Sequence, residues 1–333
     1  MTHKTSPVTG GDRFGVTCAD ILAAREVLHG VVHRTPLTPN RTLSRLMGAQ
    51  VFLKLENLQR TGAFKLRGAF HKVATLSEAE RRRGIVTASA GNHAQGVALA
   101  AAHFGVPCTV VMPEHAPVTK ITATRGYGAE VQLVGQNYDE AYQHARRMAD
   151  EGRTFVHAFD DPAVIAGQGT IGLEILEDNP ALDTLVVPVG GGGLLAGIAI
   201  AVKSRHPHVR LVGVQPAGSN AAVRSFHAGH PVRIDTPASI ADGLMVKAPG
   251  ELPMAIIRAL VDDMVTVTDD AIRDAILFLL ERTKLLVEGA GAAGVAALLS
   301  GRVQAAGRQI AVLLSGGNLD LARLHTLAAS SAS

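Results

Sequence analysis

Four short stretches carry residue types that could do chemistry together. The first is Thr61-Gly62-Ala63-Phe64-Lys65-Leu66-Arg67-Gly68. Leu66, Ala69, Phe70 and Val73 follow at helical spacing, so Lys65 falls at or near a helix start. Free backbone N–H groups and the positive end of the helix dipole disfavour a second positive charge there. A lysine that loses its proton is a nucleophile suited to forming a Schiff base. Alone, the same residue would serve as a solvated lysine on the first turn of a surface helix.

The second stretch is Ser89-Ala90-Gly91-Asn92-His93, between a strand-like run and a helical one. A turn of small residues feeding a helix start presents N–H groups to an anion such as a carboxylate, and Asn92 adds an amide. A plain turn capped by Ser or Asn is the other reading. The third is Gly190-Gly191-Gly192-Gly193-Leu194. Four consecutive glycines carry a high entropic cost, yet they let a backbone approach a phosphate closely. Gly191, Gly193 and Ala196 match a dinucleotide pattern, but the next strand ends at Gln215, with no acid for a ribose. No lysine follows to complete a nucleoside-triphosphate loop. A small phosphorylated cofactor fits better. The fourth, Leu314-Ser315-Gly316-Gly317-Asn318, offers a hydroxyl at a strand end, or only a strand-terminating turn. Taken together, these are the parts needed to hold pyridoxal 5′-phosphate.

The elements that position them alternate. Strand-like runs over 84–89, 108–113, 130–134, 154–158, 184–189, 210–215, 264–267 and 309–314 are separated by helical runs. Helices are expected over 92–104, 119–127, 138–151, 166–177, 194–204, 269–286 and 292–300, with loops through the proline-containing stretch 216–262. This order implies α/β architecture with parallel sheets and helices on both faces, and ligands beyond the strands' carboxyl ends. The chain's 333 residues, 47% hydrophobic and 18% charged, suffice for a large core and two subdomains. A formal charge of +3, spread along the chain, argues against nucleic acid. Pro188 and the glycines interrupt the apolar run 185–202, which excludes a membrane span. Residues 1–17 read as a polar lead without the apolar core of a signal peptide. The two cysteines, Cys18 and Cys108, have no metal or disulfide spacing, as expected in a cytoplasmic protein.

From Thr35 to Asn318 the sequence resembles the fold-type-II pyridoxal-phosphate enzymes, and among them the threonine/serine dehydratases and serine racemases. The resemblance lies in Glu56-Asn57-Leu58-Gln59, the lysine stretch, Ser89 to Gln95, Ala166-Gly167-Gln168-Gly169-Thr170, the glycine loop, Ala241-Asp242-Gly243 and Ser315 to Asn318. It implies a tryptophan-synthase-β-like fold: two open, twisted, mostly parallel sheets flanked by helices, with the cofactor between two domains. The large domain would comprise 1–76 and 158–333, and the small domain 77–157. It further implies that Lys65 carries the cofactor as a Schiff base, with Phe64 packed beside it. Asn92 would bond the ring oxygen. Gly190, Gly191, Gly192, Gly193 and Leu194 would hold the phosphate, and Ser315 would face the pyridine nitrogen. Ser89, Ala90, Gly91, Asn92 and His93 would receive the substrate carboxylate.

The reaction so implied is β-elimination. Lys65 removes the Cα proton, the β-hydroxyl leaves, and L-threonine or L-serine yields 2-oxobutanoate or pyruvate plus ammonia. A serine partner on the pyridine nitrogen, in place of a carboxylate, biases the site towards elimination. A racemase is the nearest alternative, but it needs a second proton donor, and Ala90 stands where the racemases carry serine. Gln215 replaces the acid those enzymes use for a divalent cation, so no metal is expected. Ammonia-lyases for 3-hydroxyaspartate or an ectoine-derived amino acid are further alternatives, and a non-catalytic sensor would not need Lys65. The relatives imply a homodimer or homotetramer, and the chain's end after Asn318 implies no isoleucine-binding domain.

Overall fold

The structure, a computed structural model, describes residues 12–329. The polar lead over 1–11 lies outside them. From Asp12 the chain makes a short 3-10 turn, and Thr17 caps the helix Cys18–Leu28. Ten strands follow: β1 (Leu37–Pro39), β2 (Gln50–Leu55), β3 (Ile85–Ala88), β4 (Cys108–Met112), β5 (Glu130–Leu133), β6 (Thr154–Phe155), β7 (Thr184–Pro188), β8 (Arg210–Pro216), β9 (Asp263–Val267) and β10 (Gln309–Leu314). They form a six-stranded sheet in the order β1-β2-β10-β7-β8-β9 and a four-stranded sheet in the order β5-β4-β3-β6. Every pairing is parallel except that of β1 with β2.

Alternation along the strands explains the layers. On β10, Ala311 and Leu313 enter the apolar cluster on one face of the large sheet, while Ile310, Val312 and Leu314 enter that on the other. On β7, Leu185 and Val187 face the first cluster and Val186 the second. Both faces are buried, so these strands read as continuous apolar runs. The small sheet is covered likewise: Ile85 and Val110 face one cluster, Val86 and Val111 the other.

Several helices differ from the sequence expectation for local reasons. The helix Pro162–Asp178 begins four residues earlier than 166, because the Asp161 carboxylate accepts from Ala163 N–H at 2.8 Å and Pro162 suits a first-turn position. The helix Asp269–Thr283 stops before 286, closed by Lys284 at φ 63°. The helix Gly289–Leu299 starts before 292, and its Gly289 and Gly291 pack where a Cβ would meet the carbonyls of Ile240 and Gly316. The 216–262 stretch holds two helices, Ala221–Ala228 and Glu251–Leu260, besides its loops.

The Ala166–Thr170 stretch has a positional role. A Cβ on Gly167 would strike Arg67 O and Gly68 Cα, and one on Gly169 would strike Gly197 O. The helix Pro162–Asp178 thus lies directly between Lys65–Ala74 and Gly193–Arg205, fixing the lysine helix relative to the glycine-loop helix. A buried ion network reinforces the first contact. Arg67 bonds both Glu56, at 2.8 Å, and Glu174, at 2.6 Å, and Lys54 reaches Glu174 at 2.6 Å.

Candidate active site

Lys65 is the first residue of its helix, and its Nζ donates to Ala158 O at 2.8 Å. Burial pushes the amine down to about 8, against the opposing field of Glu288. Burial therefore makes its proton easy to lose. The Phe64 ring packs against the core cluster of Ile165 and Leu194, with the lysine amine 5.2 Å from its centroid.

The strand order brings Ser315 to this lysine. Because β10 pairs directly with β2, Phe64 N–H donates to Ser315 O at 3.1 Å, and Ala63 bridges to Gly316. Ser315 is 3% exposed.

The glycine loop closes the same region. Gly191, Gly192, Gly193 and Leu194 are buried, and the helix Gly193–Arg205 starts from Gly192, at φ 98°, with no side-chain cap. Uncapped N–H groups in a buried place call for an acceptor, and an anion supplies one. The glycines have local reasons too. A Cβ on Gly191 would overlap the Phe159 ring, one on Gly193 would meet Phe159 O at 2.5 Å, and one on Gly192 would meet Pro253 at 2.9 Å. Gln215 anchors the loop, donating to Gly190 O at 3.4 Å and accepting from Val223 N–H at 2.9 Å.

On the opposite side, the helix Asn92–Phe104 also starts without a side-chain cap, from Gly91. Ser89 does not cap it: its hydroxyl accepts from Gly91 N–H at 3.2 Å. A Cβ on Gly91 would meet nothing within 4 Å, so the loop fronts open space. Ala90 packs against the core cluster of the small sheet. His93 Nε2 bonds Val156 O at 3.1 Å, while its buried Nδ1 has no partner. Burial, then the Lys65 charge, drives this imidazole down to about 3, so it is neutral and acts, if at all, through its backbone.

Asn92 Nδ2 donates to Glu288 Oε1 at 2.7 Å, and its Oδ1 accepts from Asn318 at 2.8 Å. One amide hydrogen remains for a ligand. Glu288 escaped the sequence reading. The lone acid in Val287-Glu288-Gly289-Ala290 has no periodic signal, and only its place before a glycine run sets it apart.

The arrangement fits a phosphorylated pyridine aldehyde. It offers a buried amine, the hydroxyl of a buried serine, one free amide hydrogen and a buried, uncapped helix start. Among the described residues no group of three or more His, Cys, Asp or Glu side chains could hold a metal, and no helix is long and apolar enough to cross a membrane.

Comparisons with known proteins follow the same line. The family described as pyridoxal-phosphate dependent enzyme matches residues 28–316. An L-threonine ammonia-lyase of Thermotoga maritima is 52% identical over 307 residues, covering 92% of this chain and 76% of the relative. The catabolic L-threonine dehydratase TdcB of Escherichia coli is 46% identical over 315 residues, covering 94% and 96%. Among solved structures, the threonine deaminase of T.th. matches with TM-score 0.87 at 42% identity, covering 92% of this chain and 99% of that one. Maize serine racemase matches with TM-score 0.90 at 34% identity, covering 96% and 98%.

Proposed function

The chain belongs to the pyridoxal-phosphate dependent enzyme family, and on that premise we propose that it is an L-threonine ammonia-lyase that also accepts L-serine. The observation that carries the reading is the joining of Lys65 to Ser315 through the Phe64–Ser315 backbone bond, with the uncapped glycine loop beside them. Lys65 would hold the cofactor's aldehyde carbon. Gly190 to Leu194 would hold its phosphate, Ser315 its ring nitrogen and Asn92 its ring oxygen. Bound pyridoxal 5′-phosphate supplies a sink for the electron pair left at Cα.

The rest is the work of the protein. The open Ser89–His93 loop orients the substrate carboxylate through the N–H groups of the Asn92–Phe104 helix. Lys65, as a free amine, takes the Cα proton at Nζ, and burial favours that neutral amine. The Cα–H and Cβ–O bonds break as a Cα=Cβ bond forms, and the hydroxyl leaves as water with one proton to balance the one taken from Cα. Hydrolysis of the released enamine gives 2-oxobutanoate and ammonia from threonine. Ser315 presents a hydroxyl to the ring nitrogen, which need not protonate it, and this favours loss of the β-hydroxyl.

The proposal includes a large domain of 1–76 and 158–333 and a small one of 77–157, a homodimer or homotetramer, and a cytoplasmic setting. The two sheets support the division into domains. Its test is a screen of purified, cofactor-loaded protein against L- and D-serine, L-threonine and 3-hydroxyaspartate, with detection of 2-oxo acid. Rapid 2-oxobutanoate formation from L-threonine is expected. Activity confined to 3-hydroxyaspartate, or its absence from all four, would refute the assignment.

A further inference from the structure

We propose that Phe159 is a specificity-determining residue, its ring forming the apolar wall that favours a substrate with a methyl group on the β-carbon. The inference rests on the reaction assigned above. Phe159 follows Ala158, whose carbonyl accepts from Lys65 Nζ at 2.8 Å. Its ring lies against Gly191, and its carbonyl against Gly193, so closely that a Cβ on either glycine would collide with it. It is thus one residue from the acceptor of the lysine amine and in contact with the glycine loop, and the proposal sets the β-carbon of a bound amino acid against its ring.

The ring is held there. Phe159 N–H donates to His157 Nδ1 at 3.2 Å, and Asp160 N–H donates to the same nitrogen at 2.8 Å. The two aromatic rings meet edge to face, 4.6 Å between centroids at 87°. Yet Phe159 is only partly buried and joins none of the four apolar clusters formed by the described residues. An aromatic ring held in place without core packing is free to give its surface to a ligand. Threonine and serine differ by one β-methyl group. A hydrophobic contact with one methyl supplies about tenfold discrimination, rising to about two hundredfold in tight pockets.

The test uses the cofactor-loaded enzyme and the variants Phe159→Ala and Phe159→Leu. The ratio of kcat/KM for L-threonine to that for L-serine should fall about tenfold in Phe159→Ala and by less in Phe159→Leu. A second readout needs no turnover: binding of L-2-aminobutyrate relative to L-alanine, followed through the visible absorbance of the bound cofactor. These ligands differ by the same methyl group and lack a leaving group, and their affinity ratio should fall in parallel. Titration of apo-protein with pyridoxal 5′-phosphate should give affinities within about threefold of the unmodified enzyme. Unchanged ratios in both variants would overturn the inference. So would a loss of cofactor affinity that lowers both substrates equally, which would make Phe159 a prop for the glycine loop. If Phe159→Ala does not fold, Phe159→Leu alone decides. An unmodified enzyme that binds the cofactor but yields no 2-oxo acid from threonine or serine would overturn the reaction assignment itself, before any substitution is made.

Discussion

The Asn92 amide donates to the Glu288 carboxyl at 2.7 Å, across 196 residues of chain. Glu288 occupies the N-cap position of the helix Gly289–Leu299 but makes no side-chain cap, its carboxyl being turned to Asn92. Burial, with the nearby Asp242 charge, pushes it up to about 7, while the Asn92 hydrogen bond and, after it, the Lys120 and Arg323 charges pull the other way.

That shift has a definite sign in stability. An ordinary glutamate titrates near 4.5 and Glu288 near 7, so between these values the folded state holds more protons than the unfolded. The Glu288 contribution to stability therefore falls as pH rises from about 4.5 to 7. Glu288→Gln should remove this loss and gain about 1–3 kcal/mol on the wild type between pH 5 and pH 8. Urea unfolding of both proteins at the two pH values measures it, and parallel behaviour would contradict the assignment.

Lys65→Ala should abolish 2-oxo acid formation while leaving the far-ultraviolet circular dichroism and melting temperature close to wild type. In the apo-protein, the rate of cofactor capture should rise through pH about 8, where the buried amine loses its proton, and not near the 10.5 of an ordinary lysine. Visible absorbance after mixing follows both.

Gly191→Ala sets a methyl group against the Phe159 ring, and Gly193→Ala sets one against the Phe159 carbonyl. Each should weaken cofactor binding about tenfold or more if the loop holds the phosphate. Adding Phe159→Ala should relieve the first change and not the second, because truncating a side chain leaves the backbone oxygen in place. Titration of the four apo-proteins checks the pattern.

Arg67→Met should destabilise the fold by about 3–5 kcal/mol, the cost of leaving buried carboxylates without their partner. Arg67 is 1% exposed and holds Glu56 below the ordinary carboxylate range despite burial that works the other way. Denaturant unfolding at pH 7 reads the loss, and a change below about 1 kcal/mol would mean Lys54 compensates.

Ala90→Ser should raise D-serine formed from L-serine relative to pyruvate if the Ser89–His93 loop receives the substrate as proposed, since it places a hydroxyl where the wild type has only a methyl group. Chiral chromatography measures the ratio. Abundant D-serine from the unmodified enzyme would mean that another group returns the proton.

Much of the site could be read in the chain because backbone demands are local. Gly192 at φ 98° admits little besides glycine, and the apolar period after Lys65 marks its helix wherever that helix packs. Those signals need only a few neighbouring residues, as does the alternation of strand and helix that announced parallel sheets with helices on both faces. Where the reading slipped, as at Asp161 and Lys284, a cap or one left-handed residue moved a helix end.

What neighbours in sequence could not decide is which distant groups meet. Inserting β10 between β2 and β7 sets Ser315 against the segment that leads into Lys65, through the Phe64–Ser315 backbone bond. Nothing around Glu288 foretells its bond to Asn92, nor does anything around Phe159 foretell that its ring would rest on Gly191. The Lys65 proton is in the same position. The sequence supplies a lysine at a helix start, but burial, which exists only once the helices and both sheets are assembled, brings its amine down to about 8. Conformational preferences act over a turn of chain and are written in it, whereas desolvation and contact depend on how the sheets are ordered.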